Sequence, residues 1–433
     1  MTGAGPDGHH YRHRLAVILG ALTAIGPLAI DMYLPALPEI ARELDVPIAA
    51  VQASLASYFI GIALGQALYG PLSDRLGRKP ALYVGLAIFV GASLGCAFTT
   101  NVTQLVVFRF LQALGGCAPL VVPRAVVRDY FDGRESVRML SMLILVMGIA
   151  PIVAPFVGGQ LLVHFGWRSV FLVLAGYGLA LFGLVAWLLP ESLRPELRRR
   201  QSVTAIATTY LGILRDREYL GWVLSGGLVF SGLLAYISGS SFVFIELFDV
   251  SPERFGFYFG ANAIGLMIAS QVNRYLASRV RPEVIVRTVL PIAVIAGVTL
   301  LVDAYTGFGG FPGILVPLFC FIACHGFVAP NTTALAMSPY GAVAGSASAL
   351  MGTLQFVLGA AAGGLVSAFG NGTAVPFALV PNAPQQPFPA GFSARPAPFG
   401  VGFVGAQCSE PLLIEIAYAF EQATKKRVAP SEK

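Results

Sequence analysis

Gly70-Pro71-Leu72-Ser73-Asp74-Arg75-Leu76-Gly77-Arg78-Lys79-Pro80 sets one carboxylate, three cations and two glycines between two long apolar runs. Those runs, about residues 51–72 and 81–99, are each long enough to cross about 30 Å of hydrocarbon as a helix. A compact charged turn between two such runs reads as a hinge at a membrane surface. The cations place it on the cytoplasmic side, because loops on that side retain Lys and Arg.

Composition leads to the same class. Only 12% of the 433 residues are charged, against roughly a quarter in a soluble domain, and the mean hydropathy is +0.74. The net charge of +6 sits in short loops between apolar runs and not along one polar face, so it fits a lipid surface and not nucleic acid. Cys96, Cys117, Cys320 and Cys324 lie inside apolar runs without zinc-type spacing, and read as core thiols. No metal or cofactor site is expected. The polar start, Met1 to Arg14, runs into an apolar stretch too long for a signal peptide and without a clean cleavage site, so it is read as a retained first span.

Working outward from the hinge, apolar runs fall at about 15–36, 51–72, 81–99, 104–123, 139–163 and 168–189, and then at 219–245, 255–275, 285–303, 312–337 and 342–369. The expected fold is an all-α polytopic membrane protein of two bundles, with eleven apparent spans and a twelfth missing. Residues 1–190 form the first bundle, 191–218 a basic linker, 219–369 a second bundle of five helices and 370–433 a tail without a span. With the N-terminus inside, the cytoplasmic segments hold most of the cations, including Arg12, Arg14, Arg134, Arg138 and Arg198-Arg199-Arg200, while the outside loops hold only Arg42, Arg168 and Arg254. The linker, with an amphipathic Val203 to Leu214, reads as lying on the anionic leaflet. Two bundles joined this way suggest pseudo-symmetric halves with a substrate site between them near the midplane. The internal repeat is faint: Gln271 to Arg279 keeps the cations of the hinge but not its Asp-Arg-x-Gly core.

Several stretches carry a resemblance. Gly70 to Lys79 is similar to the loop between the second and third helices of the major facilitator superfamily. Arg109-Phe110-Leu111-Gln112-Ala113-Leu114-Gly115-Gly116 resembles its fourth-helix motif, and Gly148-Ile149-Ala150-Pro151 through Pro155 to Gly158-Gly159 resembles the fifth-helix motif of its antiporters. Ala29-Ile30-Asp31-Met32-Tyr33-Leu34-Pro35, with Leu189-Pro190-Glu191-Ser192-Leu193 and Ala329-Pro330-Asn331-Thr332-Thr333-Ala334, narrows the likeness to Bcr/CflA-type drug exporters over about residues 14–380. The resemblance implies a monomer in the bacterial inner membrane that exports amphiphilic drugs by alternating access, in exchange for protons, with the proton gradient as its energy source and no cofactor. Alternatives are a metabolite importer of the same superfamily, or a remnant that no longer transports.

The residues support specific roles. An ionisable side chain inside a span costs roughly 2.5 to 3.5 kcal/mol on insertion scales, which singles out Asp31 and Arg109. Asp31, followed by Tyr33 and Pro35, is read as a cavity-facing carboxylate that takes and releases a proton, or else as a solvated group capping a broken helix end. Arg109 keeps its charge and needs partners in the bundle; the resemblance implies that it influences protonation at the carboxylate, and the plainer reading is a tie between helices. In the hinge, Gly70 and Gly77 are expected to form the turn, Arg75, Arg78 and Lys79 to anchor it, and Asp74 to latch onto a cation or helix N-terminus of the opposite half. Gly148, Pro151, Pro155, Gly158 and Gly159 should make a closely packed, flexing helix at the interface, which the resemblance reads as a seal. Candidate substrate contacts are Tyr33, Tyr58, Gln66, Gln112, Asn262, Asn331 and Gln355. Glu246 and Asp303 are expected in solvated positions at outer ends.

Pro381 to Pro387 breaks the chain before a twelfth span can form, and the stretch from about 388 to 426 resembles the C-terminal end of an amidase-signature protein. No nucleophile and base pair can be assembled to go with it, so no catalytic residue and no enzyme activity are expected.

Overall fold

The computed structural model describes residues 6–368, apart from 132, 194, 195, 197, 199–202 and 308. The tail 370–433, with the missing span and the amidase resemblance, lies outside the described residues. In lipid every backbone N–H and C=O must be satisfied within its own segment, and the chain accordingly folds into helices: α1 Pro6–Asp31, α2 Leu37–Glu43, α3 Ile48–Leu76, α4 Arg78–Ala97, α5 Val102–Tyr130, α6 Gly133–Phe165, α7 Arg168–Leu188, α8 Val203–Leu214, α9 Arg217–Ser241, α10 Pro252–Leu276, α11 Pro282–Thr306, α12 Gly310–Met337 and α13 Ala344–Ala368. Among the described residues there is no strand, and eleven segments are long and apolar enough to span a membrane. The first of them joins α1 and α2 across a short turn at Leu34–Ala36.

Helices α1 and α3–α7 pack on one another, as do α9–α13. The two halves meet along α3 against α13 and α6 against α10. Consecutive spans alternate in direction, so the α3–α4 junction lies at one end of the molecule, here called the basic end. The α6–α7 and α9–α10 junctions lie at the far end. There Glu43 accepts hydrogen bonds from Trp167 Nε1 at 2.6 Å and from Arg168 Nη1, and Arg168 Nη2 donates to the Thr99 carbonyl at 3.4 Å. This clamps the end of α2 to the α6–α7 turn.

Three expectations change. The hinge is shorter than the sequence suggests, because α3 continues through Gly70 and Pro71 to Leu76 and α4 starts at Arg78, leaving Gly77 alone as the turn. Gly77 has φ +108°, a conformation open to glycine and closed to most side chains. Gly70 is an ordinary helical position with open space where a side chain would sit. Asp303 is not solvated: it is 9% exposed and accepts the Gly309 N–H at 2.6 Å, closing the α11–α12 loop on itself. The linker helix α8 does more than rest on a surface, since Ile213 is buried with Tyr219, Val223, Leu350 and Met351 against the base of the second half. Just after α8, Asp216 caps α9 by accepting from Glu218 N and Tyr219 N, and it also accepts the Tyr340 hydroxyl at 2.6 Å. The Tyr340 hydroxyl, first among these contacts, holds the Asp216 carboxyl below its ordinary range.

Candidate functional site

Arg109 lies on α5 with no exposed surface. Its Nη1 donates to the Ala29 carbonyl of α1 at 3.0 Å and to Gln112 Oε1 at 2.6 Å. Gln112 Nε2 passes the connection on to Ser93 Oγ of α4 at 2.8 Å. The guanidinium lies 4.1 Å from the ring centroid of Tyr58 on α3, 4.6 Å from that of Tyr33 and 5.9 Å from that of Phe171 on α7. Among the described residues Arg109 Nε and Nη2 have no hydrogen-bond partner, so ring faces are what these N–H groups meet, as cation–π attraction favours in a desolvated site. One cation thus gathers α1, α3, α4, α5 and α7.

Asp31 ends α1 two residues after the carbonyl that Arg109 holds, and it is 3% exposed. No salt bridge reaches it among the described residues. Tyr33, two residues on, shares a hydrogen bond of 2.9 Å with Ser54. The helix breaks here because Pro35 follows in the turn.

The same turn receives α6. A side chain on Gly158 would collide with the Met32 carbonyl, and a Cβ on Gly159 would lie 2.5 Å from the Pro252 carbonyl at the start of α10. Gly158 therefore seats α6 on the residue after Asp31, while its neighbour seats α6 on the opposite half. Pro155 is buried and Pro151 half-buried on the same helix, and Gly148 meets only the side chain of Met267, at 3.5 Å.

At the basic end, Arg78 Nε donates to Asp129 Oδ2 at 2.9 Å, and Arg78 Nη1 donates to Ser73 Oγ at 3.0 Å and to Asp74. Asp74, half exposed, pairs here within its own half and not across the interface. Glu191 caps α4, accepting from Arg78 N at 2.9 Å and Lys79 N at 3.1 Å, while Lys79 Nζ donates to the Ala186 carbonyl at 2.8 Å. Arg75 is exposed. Since carboxylate caps of backbone N–H groups are charge-assisted, Glu191→Ala is expected to destabilise the protein by about 2 kcal/mol. Thermal melting of the purified protein checks this, and Glu191→Gln should lose less than half as much.

The candidate substrate contacts separate into groups. Tyr33, Tyr58 and Gln112 come together around Arg109, and both ends of the Gln112 amide are occupied by protein. Gln66 crosses the interface to lie against Gly352 of α13. Gln355 packs near Gly227 on α9, and Asn262 Nδ2 donates to the Tyr236 hydroxyl at 3.0 Å. Asn331 does not join them: it donates to Asn273 Oδ1 at 2.6 Å and to the Phe327 carbonyl, tying α12 to α10. Sequence reasoning missed Tyr236, Asp129 and the capping role of Glu191, which have no local pattern. It also passed over His325, although a histidine inside a span is itself a mark of function. A cleft of about 470 Å³ opens at the far end between Pro38, Arg42, Asp45, Val46, Phe242 and Glu246, and none of the candidate substrate contacts line it.

Comparison with known proteins agrees with this geometry. The model of the Major Facilitator Superfamily matches residues 19–364. An uncharacterised MFS-type transporter, YdgK of Bacillus subtilis (strain 168), is 38% identical over 85% of this chain and 92% of its own. A bicyclomycin resistance protein homolog of Haemophilus influenzae is 32% identical over 83% of this chain and 90% of its own. Multidrug resistance protein D of Escherichia coli (strain K12) is 29% identical over 79% and 85%. Among solved structures, a D-xylose-proton symporter superposes with a TM-score of 0.65 at 15% identity, covering 84% of this chain and 92% of that one. A bacterial homologue of the human lysosomal transporter Spinster, in an inward-facing and unoccupied conformation, gives 0.60 at 16% identity over 85% and 84%; both show the shared fold. The family match ends at residue 364, and the resemblance of the tail to an amidase gains no support. The chain belongs to the major facilitator superfamily, among its Bcr/CflA-type drug-resistance transporters.

Proposed function

We propose that the protein is a proton-coupled exporter of amphiphilic drugs in the bacterial inner membrane, with the basic end and the N-terminus facing the cytoplasm. The observation that carries the coupling is Asp31: a buried carboxylate that no salt bridge reaches among the described residues, placed where a helix breaks between the halves. When the halves rock about the interfaces α3–α13 and α6–α10, the two conformations open this carboxylate to water on different sides, so a proton taken on one side is released on the other. Arg109 fixes the neighbouring backbone through Ala29 and positions Tyr33 and Tyr58, which makes it a positioning residue for the exchange. Export of drugs is supported by the relatives named for bicyclomycin and multidrug resistance. The positive-inside rule supports the orientation.

Expression in an efflux-deficient bacterium tests the reading. The wild type should raise the inhibitory concentration of at least one amphiphilic antibiotic, bicyclomycin included, by several dilution steps. Asp31→Asn should return it to the vector level at equal membrane abundance. Resistance that survives Asp31→Asn removes the coupling role, and a wild type without effect on any compound removes drug export.

A further inference from the structure

His325 lies at the middle of the span Gly310–Tyr340. Its Nδ1 is sealed from solvent and has no hydrogen-bond partner among the described residues. A buried nitrogen left in that state is destabilising, and lipid tails offer nothing to satisfy it. A position needed only for packing would carry an apolar side chain. Around it, the Phe230 ring lies 5.6 Å away, Phe230 meets Phe356 edge-on at 5.2 Å, and Phe356 meets Phe59 at 6.4 Å. Phe59 belongs to α3 of the first half and adjoins Tyr58, whose ring lies under Arg109. The four rings make a strip at mid-membrane that crosses from the first half to the second. It has a guanidinium near one end and an imidazole at the other.

We propose that His325 is the second half's hydrogen-bonding anchor for the transported molecule, an aromatic compound laid against the half-buried rings of Phe356 and Phe230, beside the buried Phe59, and carrying a hydroxyl, amide or amino group. This rests on the export reading above. Ring faces on their own would draw a cation, but Arg109 already occupies those of Tyr33 and Tyr58. A neutral imidazole offers one donor and one acceptor, so it discriminates by hydrogen bonding and not by charge.

The test uses the full chain in lipid nanodiscs and two radiolabelled aromatic probes. Trimethoprim, under conditions where it is neutral, carries amino groups; tetraphenylphosphonium has no hydrogen-bonding group. His325→Phe should weaken trimethoprim binding by about tenfold, the equivalent of one hydrogen bond, and leave tetraphenylphosphonium within about twofold. His325→Gln should recover most of the loss. Equal loss of both probes in His325→Phe, no change in either, or a wild type that binds only tetraphenylphosphonium overturns the proposal. Trimethoprim binding that depends on His325 in a protein conferring no resistance on cells supports the anchor and overturns export instead. A wild type that binds neither probe overturns both.

Discussion

Replacing Arg109 with glutamine is expected to destabilise the protein by about 3 kcal/mol or more and to end transport. Two buried acceptors, the Ala29 carbonyl and Gln112 Oε1, lose their donor, at about 1–3 kcal/mol each. The cation that draws the rings of Tyr33 and Tyr58 to α5 is gone as well, a further contribution of about 2 kcal/mol in a desolvated site. Arg109→Lys keeps the charge but lacks the planar fork, so one ammonium must choose between the two acceptors. It should fold, melt at an intermediate temperature, and transport more slowly per folded molecule, with a displaced pH profile. Melting and transport in the same nanodisc and liposome preparations check both variants. A purely structural tie would leave the transport rate per folded Arg109→Lys molecule unchanged.

How much of this was legible in the sequence depends on the range of each interaction. The spans were readable because lipid imposes one rule on every residue of a segment, and the runs of apolar residues follow the helices closely. The same rule explains the misread hinge. Gly70 and Pro71 would break a helix in water, but in a span the backbone stays hydrogen-bonded through them and the turn shrinks to Gly77. Arg109 announced itself as a buried cation in need of partners, yet nothing local could name Tyr33, Tyr58 and Phe171. These come from the turn after α1, from α3 and from α7. The cap of α4 by Glu191 joins residues more than a hundred positions apart. The burial of Asp303 arises from a glycine loop folding back on a carboxylate, where the position at a helix end suggested solvent.

The glycine pair on α6 gives the second large effect, because it joins the turn after Asp31 to the interface between the halves. Gly159→Ala places a methyl group 2.5 Å from the Pro252 carbonyl, nearer than a carbon and an oxygen can rest, so α6 and α10 must separate at the far end. Overpacking of this kind costs about 1–3 kcal/mol. The cost falls only on the conformation in which this end is closed, since opening the far end relieves the contact. A differential of that size changes the ratio of the two states by about 5- to 150-fold. Gly158→Ala presses in contrast on Met32, inside the first half, and should disturb the turn after Asp31 in both conformations. The two neighbours therefore predict different outcomes. With nitroxide labels at positions 45 and 246, which line the far-end cleft from the two halves, Gly159→Ala should lengthen the label-to-label distance and trap the protein open at that end. Gly158→Ala should leave the distance unchanged while abolishing proton-driven transport. Equal distances in wild type and Gly159→Ala would show that the α6–α10 contact does not close this end.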